Sequence, residues 1–231
     1  GDRAVLARAA RQPLAGLVVA RVAEIQRSHR GEAADVDVEP ERDPGGWVVQ
    51  SWDCASKTAD QNDYSVCVTA LCRGSEVYVL EVFRARLDFP DLCRSVERLA
   101  ERWRPEMVLI EDAASGTQLL QHLKSIQPAC VPKPLARKPN GSKETRVEGV
   151  SAQIERGELF LPRDAPWLAV FMAELLGFPN ARHDDQVDAL TQILEWVRGR
   201  KPYTTPVAPL LFDLNGPVRW DEETYEEAFG C

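Results

Sequence analysis

Three short stretches decide the fold: residues 47–53 read WVVQSWD, residues 64–72 read YSVCVTALC, and residues 76–84 read EVYVLEVFR. Each is rich in β-branched and aromatic residues, which favour strands. The dipeptide Arg73-Gly74 separates the second stretch from the third and predicts a turn, so these two stretches form a hairpin. The regular part of the chain therefore begins with three antiparallel strands.

Downstream of this start, strands and helices alternate. Apolar residues recur at helical spacing from Pro90 to Trp103, and a short apolar strand follows at 107–111. Ser115 and Gln118 are spaced as a capping box for the next helix. The remaining predictions are a helix through 119–126, a strand near 129–133, a helix at 145–156, a strand at 158–161, a helix from Pro166 and a last helix at 184–198. This order predicts an α/β fold with a mixed sheet, antiparallel at its start and parallel afterwards, flanked by helices.

Length and composition allow one large domain with extensions among the 231 residues. We predict an N-terminal extension or linker at 1–46, the folded domain at 47–200, and a Pro-rich, acidic tail at 201–231. No apolar run is long enough to suggest a membrane span, and the N-terminus lacks a signal-peptide pattern. The six cysteines form no C-x-x-C pair and mostly lie in apolar runs, which indicates reduced, buried thiols.

Acidic residues occur at three distant places where an apolar run ends or begins. Asp53 ends the first strand, Glu111 and Asp112 end the strand at 107–111, and three acids open the last helix. Carboxylates beside buried strands are costly and need a reason to be there. If the three sets converge, they form an all-oxygen site suited to Mg²⁺ or Mn²⁺ and to phosphoryl-transfer chemistry.

Each acid also has a structural explanation. Asp53 could start a turn, and Asp112 could stabilise the positive end of the following helix dipole near Ser115. The stretch His183-Asp184-Asp185-Gln186-Val187-Asp188 is the densest. Helix-dipole pairing explains one or two of its acids, but not three together with a histidine.

The charge distribution bears on partners. The formal net charge of −8 argues against a nucleic-acid partner. However, residues 132–147 carry five basic residues against the single acid Glu144. A local basic strip of this kind can contact a phosphate backbone even when the whole chain is acidic. The alternative is a solvated charged loop.

Four motifs in order and at similar spacing resemble the C-terminal nuclease domain of tailed-phage terminase large subunits. They are Gln50 to Asp53, Asn62 to Val66, Ile110 to Gly116, and His183 to Ala189. The resemblance covers about residues 47–198. It implies a ribonuclease H-like fold and a metal-dependent endonuclease that cuts concatemeric viral DNA during packaging.

The resemblance also implies roles for individual residues. Asp53, Glu111 and Asp185 would be catalytic and would bind two Mg²⁺ or Mn²⁺ ions, with Asp184 as an alternative or additional ligand. The supporting residues would be Asp63, Asp112, Asp188 and His183. Lys138, Lys143 and Arg146 would contact the DNA backbone.

The implied partners are double-stranded DNA, an ATPase domain, the small terminase subunit and the portal, in the cytoplasm of the bacterial host. No membrane is implied. The chain lacks the Walker A pattern of the ATPase motor. It is then either the nuclease part of a longer subunit or a prophage remnant. Two other functions stay open: another ribonuclease H-like nuclease of resolvase or transposase type, and a non-catalytic module that docks the packaging motor.

Overall fold

The computed structural model describes residues 46–55, 64–162 and 164–200. Within these ranges the strands are β1 (Trp47–Asp53), β2 (Ser65–Arg73), β3 (Glu76–Ala85), β4 (Met107–Glu111), β5 (Leu135–Arg137) and β6 (Leu159–Phe160). The helices are α1 (Phe89–Trp103), α2 (Ala114–Ile126), α3 (Lys143–Glu155), α4 (Leu168–Gly177) and α5 (Asp185–Arg198).

The strands described form one mixed sheet in the order β5-β4-β1-β2-β3-β6. β2 pairs antiparallel with both β1 and β3, whereas β4 pairs with β1, β5 with β4, and β6 with β3 in parallel. This confirms the predicted mixed sheet with an antiparallel start. Because β1 and β4 are adjacent and parallel, their carboxyl ends meet at one edge of the sheet.

Helices cover both faces of the sheet and enclose two separate cores. One core contains Trp52 with apolar residues of α1 and α2. The other contains Val49 with apolar residues of α3, α4 and α5. Val49 and Trp52 differ by an odd number of positions, so the alternation of a strand sends them to opposite faces. Asp53 lies on the face of Val49, which is the face that α5 covers.

Helix α5 is the most deeply packed helix and lies against β1 and β2. Its buried residues include Leu190, Ile193 and Leu194, each no more than 2% exposed. Full burial of each such side chain stabilises the fold by about 1.5–3 kcal/mol. This apolar anchoring fixes the N-terminus of α5, and with it the acids of the last motif, over the sheet.

Three local predictions were wrong. Residues 129–133 form no strand, because Pro132 and Pro134 cannot donate to a ladder; the strand is β5, two residues further on. The Ser115–Gln118 capping box is not formed, since α2 begins at Ala114 without a side-chain cap. The helix predicted from Pro166 begins at Leu168.

Two further findings concern the described residues. None of their helices combines the length and apolar character that crossing a membrane requires. Five of the cysteines lie in the described part of the chain and are free thiols, of which Cys54, Cys67, Cys72 and Cys93 are buried. The prediction of reduced thiols in apolar surroundings is confirmed for these four.

Candidate metal centre

Asp53 and Glu111 lie side by side at the carboxyl edge of the sheet. They follow Trp52 and Ile110, which pair across the parallel strands β1 and β4. Their carboxyl groups are close enough to influence each other's pKa. The two strand ends therefore bring together two of the acids that the sequence singled out.

The third acidic set lies at the N-terminus of α5. Asp184 is the residue before the helix and Asp185 is its first residue. The Oδ2 atom of Asp185 is buried and has no hydrogen-bond partner among the described residues. An orphaned carboxylate oxygen in this position is expected where a ligand contributes the missing partner.

The electrostatics show that the sets have converged. Burial raises the pKa of Asp53 well above its ordinary value, and the charges of Glu111, Asp188 and Asp185 raise it further. Burial also raises the pKa of Glu111, with Asp188 adding to the effect while Arg146 and Lys143 oppose it. These carboxylates repel one another, and a divalent cation among them would relieve that repulsion.

Asp185 titrates in the same environment. Burial and the nearby charges of Glu174 and Asp184 raise its pKa to about 6, although Lys143 and Arg84 act in the opposite direction. Carboxylate oxygens are ligands that a hard divalent ion prefers, and the charge of such an ion would favour their ionised form. The donor set thus fits Mg²⁺ or Mn²⁺.

The side chains are not arranged as a finished coordination shell. Among the described residues, no three carboxylate, histidine or cysteine groups lie close enough to ligate one ion together. An ion held by Asp53, Glu111 and Asp185 therefore requires rotation of these side chains toward a common point.

Two of the predicted DNA contacts instead face the acids. Lys143, the first residue of α3, places Nζ 2.7 Å from Asp184 Oδ1 and 2.6 Å from Asp188 Oδ2. Arg146 lies 2.6 Å from Asp188 Oδ1. Burial lowers the pKa of Lys143, but its bonds to Asp184 and Asp188 outweigh burial and raise it. Lys138 is exposed, just beyond the end of β5.

The predicted supporting residues have different environments. Asp188 is buried and paired with Lys143 and Arg146. Asp112 accepts a hydrogen bond from the Thr117 hydroxyl at 2.9 Å, a local contact at the start of α2. The ring of His183 packs edge-on against Tyr64, with centroids 5.3 Å apart. Asp63 lies outside the described residues.

The sequence reasoning missed Glu174 of α4. Its carboxylate is 6% exposed and accepts hydrogen bonds from the backbone N of Gln186 at 2.7 Å and from the Gln186 side chain. Arg84 of β3 lies 3.9 Å from the same carboxylate. An acid inside the apolar run LAVFMAELLG was the sequence feature that could have revealed it.

Gly116 explains part of the motif around Glu111. A Cβ atom at this position would lie 2.1 Å from the Glu111 carbonyl oxygen. No side chain fits there, so glycine permits α2 to pack against the end of β4. Two residues earlier, Ala114 has a positive φ of 47°, which turns the chain sharply after the strand.

Known structures with the same fold include nuclease domains of phage terminases. The Thermus phage P74-26 large terminase nuclease domain superposes with a TM-score of 0.53 and 17% identity, covering 70% of this chain and 85% of that one. The large terminase nuclease from thermophilic phage G20c, solved with bound magnesium, gives a TM-score of 0.51 at 16% identity, covering 66% and 82%.

A longer protein contains the same domain. The large terminase of a thermophilic bacteriophage, in complex with ADP, superposes with a TM-score of 0.51 at 10% identity. The match covers 68% of this chain but 41% of that one. No curated protein matches the chain. At these identities the likeness establishes the fold alone, which agrees with the predicted ribonuclease H-like architecture.

A family comparison extends the match to sequence. The family model described as the terminase RNaseH-like domain matches residues 50–195. This segment spans more than half of the chain and contains both strand ends and the N-terminus of α5. The chain therefore belongs to the terminase RNaseH-like domain family.

Proposed function

We propose that this protein is a metal-dependent DNA endonuclease, the nuclease domain of a phage terminase large subunit that cuts concatemeric viral DNA during packaging. The observation that carries the proposal is the convergence of Asp53, Glu111 and Asp185 at one sheet edge. Their pKa values are all raised, and Asp185 Oδ2 has no partner among the described residues. Family membership supplies the nuclease class.

Asp53, Glu111 and Asp185 would hold Mg²⁺ or Mn²⁺, and Asp184 lies beside them as an additional ligand. When bound, such ions activate water and stabilise the leaving oxygen in phosphodiester hydrolysis. The G20c nuclease was solved with magnesium, which supports a divalent ion at the corresponding edge here. Gln186, held by Glu174, would fix the first turn of α5 so that Asp185 stays aimed at the strand ends.

The DNA would approach at the edge where β4 and β5 end. Glu111 pairs with Arg137 across these parallel strands, so Lys138 follows directly beyond the site. Its exposed ammonium is placed to contact a backbone phosphate. Lys143 and Arg146 are less exposed than Lys138 and are paired with the acids of α5. They would contact a phosphate only from within the site.

The assembly context follows from the longer relative. An ADP-bound large terminase matches this chain over only part of its length, which supports an ATPase domain as the partner. We extend the proposal to the small subunit and portal as docking partners, and to the cytoplasm of the bacterial host as the place of action.

Cleavage of supercoiled plasmid in Mn²⁺, Mg²⁺ or EDTA tests the proposal. The wild-type protein should cut with metal and not with EDTA, and both Asp53→Asn and Asp185→Asn should lose more than about 100-fold of the activity. Asp91→Asn is the matched control, because Asp91 is an exposed acid of α1 paired with Arg94. A folded wild-type protein that neither cuts DNA nor binds Mn²⁺ would contradict the proposal and favour a docking module.

A further inference from the structure

Two arginine side chains at the end of β3 converge on one tyrosine at the carboxyl edge of the sheet. The Cζ atom of Arg84 lies 3.6 Å from the centre of the Tyr64 ring. The Cζ atom of Arg86, just beyond the end of β3, lies 4.5 Å from the same centre. Each contact has the geometry of a cation–π interaction. We call Tyr64, Arg84 and Arg86 the arginine–tyrosine cluster.

The strand register places this cluster on the same face and edge of the sheet as the acids. Asp53 of β1 is paired with Val66 of β2, which is paired in turn with Arg84 of β3. Directly paired residues present their side chains to the same face of a sheet. Arg84 therefore lies on the face of Asp53, two strands away, which is roughly 10 Å at ordinary strand spacing.

Arg84 has hydrogen-bonding capacity that its neighbours do not use. Its Nε atom is buried and has no hydrogen-bond partner among the described residues. Its ion pair with Glu174 is long, at 3.9 Å, and that carboxylate already accepts two hydrogen bonds from Gln186. A buried donor without a partner is expected where a ligand supplies the acceptor.

The charge of the arginine–tyrosine cluster selects an anionic ligand. A guanidinium group is planar and always charged, and it binds phosphate oxygens through two parallel hydrogen bonds. Burial and the charges of Glu174 and Asp184 raise the pKa of Asp185, whereas the charges of Lys143 and Arg84 oppose that rise. Arg84 thus lies within electrostatic reach of the acids, and a phosphate held by the cluster would lie next to the candidate metal centre.

The order of the strands places the cluster opposite Lys138. In the order β5-β4-β1-β2-β3, the end of β5 lies two strands to one side of Asp53, and Arg84 lies two strands to the other. Four strand spacings span roughly 19 Å. Duplex DNA rises about 3.4 Å per base pair, so this span corresponds to about five to six base pairs. A duplex that crosses the strand ends can reach Lys138 and the cluster together, with the acids between them.

Resting on the function proposed above, we propose that Arg84 and Arg86 bind a backbone phosphate of the DNA on the β3 side of the acids. Tyr64 is the platform that orients both guanidinium groups toward this phosphate. The contact carries no sequence information, because it reaches the backbone and not the base edges. Together with Lys138, it holds the duplex on both sides of the phosphodiester to be cut.

Arg86→Gln tests the contact, because Arg86 is exposed and its replacement should leave the fold intact. Fluorescence anisotropy with a short labelled duplex in EDTA should show an affinity lower by at least about threefold. The slope of log Kd against log salt concentration should fall by about one. With Mn²⁺, cleavage of the same duplex should show a raised KM and a kcat within about twofold of wild type, because substrate and transition state use the contact equally.

Arg98→Gln is the matched control. Arg98 is an exposed arginine of α1, and its Cζ atom lies 5.5 Å from the ring centre of Phe83, which is also in β3. Phe83 packs in the core on the opposite face of the sheet. This variant also removes one arginine charge from above an aromatic ring, but it should leave the affinity, the salt slope and KM unchanged.

Tyr64 separates the orientation of the arginines from their charge. Tyr64→Leu keeps both arginines but removes the ring, so it should weaken duplex binding to the same extent as Arg86→Gln. Tyr64→Phe keeps the ring and should bind the duplex as wild type does. Denaturant unfolding shows which variants are folded, and Arg86→Gln decides the inference alone if Tyr64→Leu is unfolded.

Each contrary result has a distinct meaning. Wild-type affinity, salt slope and KM in folded Arg86→Gln would overturn the inference and leave the proposed function intact. An equal loss in Arg98→Gln would also overturn it, since the effect would then come from net charge. Wild-type protein that binds the duplex but does not cut it with Mn²⁺ would contradict the proposed nuclease, and the affinity comparison would still decide the inference. Wild-type protein that neither binds nor cuts the duplex would overturn both.

Discussion

Glu174 on α4 accepts two hydrogen bonds from Gln186 on α5, one from the backbone N at 2.7 Å and one from the side-chain Nε2 at 2.5 Å. Both groups are buried. The contact joins the middle of one helix to the first turn of another, immediately after Asp185. The direction of the Asp185 side chain thus depends on an acid of the preceding helix.

Glu174→Ala should therefore weaken both the fold and the site. It leaves two buried donors of Gln186 unpaired, which costs about 1–3 kcal/mol for each such group. Denaturant unfolding should show a loss in that range or larger, and Mn²⁺ affinity should fall because the first turn of α5 loosens. Glu148→Ala, at an exposed position of α3, should change stability by less than about 0.5 kcal/mol. Equal effects of the two variants would contradict this role.

Gly116→Ala should be destabilising because its Cβ would collide with the Glu111 carbonyl oxygen. Overpacking of this kind costs about 1–3 kcal/mol. The shift of β4 should also lower Mn²⁺ affinity, measured by calorimetry on folded protein.

The matched variant is Ala114→Gly, two residues earlier. Ala114 has a positive φ, a conformation that costs a non-glycine residue about 1–2 kcal/mol. Glycine removes this strain but is more flexible when unfolded, so the variant should be as stable as wild type or slightly more stable. A Gly116→Ala protein that unfolds at the same denaturant concentration as wild type would refute the close-packing argument.

Asp185→Asn should stabilise the metal-free protein at neutral pH. The pKa of Asp185 is raised to about 6, so its ionised form is disfavoured by the fold. Protonated Asp185 contributes stability that is fully present below the pKa of this residue in the unfolded chain, near 4. That contribution is lost as the pH rises through about 6, the pKa of Asp185 in the folded protein. In EDTA, the variant should exceed wild type by about 1–3 kcal/mol at pH 7.5.

The difference should shrink toward pH 4, where Asp185 is protonated in both the folded and the unfolded states. Saturating Mn²⁺ should reverse the order, because a bound ion stabilises only the protein that holds it. Denaturant unfolding at pH 4.5 and 7.5, with EDTA or Mn²⁺, measures both effects. A pH-independent difference in EDTA would show that burial of Asp185 does not oppose its ionisation.

Asp188→Asn should be among the most damaging single changes at the site. The residue is buried and compensates Lys143 and Arg146, so its neutralisation leaves two cations without their shared partner. Breaking a buried pair costs about 3–5 kcal/mol. Asp184→Asn removes an acid that is 36% exposed and should cost less than about 1 kcal/mol. Thermal unfolding of the two variants tests this difference in stability. An Asp184→Asn protein less stable than the Asp188→Asn protein would contradict the conclusion that Asp188 is the more important buried partner.

Much of the candidate site could be predicted because its acids lie at the ends of regular elements. Asp53 and Glu111 each end an apolar strand, and parallel neighbours place such ends together. Strand β5 could not be located, because a three-residue strand between prolines has no periodicity to detect. The sequence also did not reveal that Lys143 and Arg146 point toward the acids of α5. This direction arises from the packing of α3 on α5, which a basic stretch of sequence does not encode locally.

The residues of the candidate site differ in how firmly the fold holds them, because β1 lies between two paired strands. Trp52 is paired on both sides, with Cys67 of β2 and Ile110 of β4, and is fully buried. Asp53 directly follows this doubly held residue, whereas Asp184 and Asp185 belong to a helix terminus. In the proposed metal site, the strand would set the position of an ion, and the terminus of α5 would set the position of the remaining ligands. Sequence changes in α5 would then alter metal affinity without moving the ion relative to the sheet.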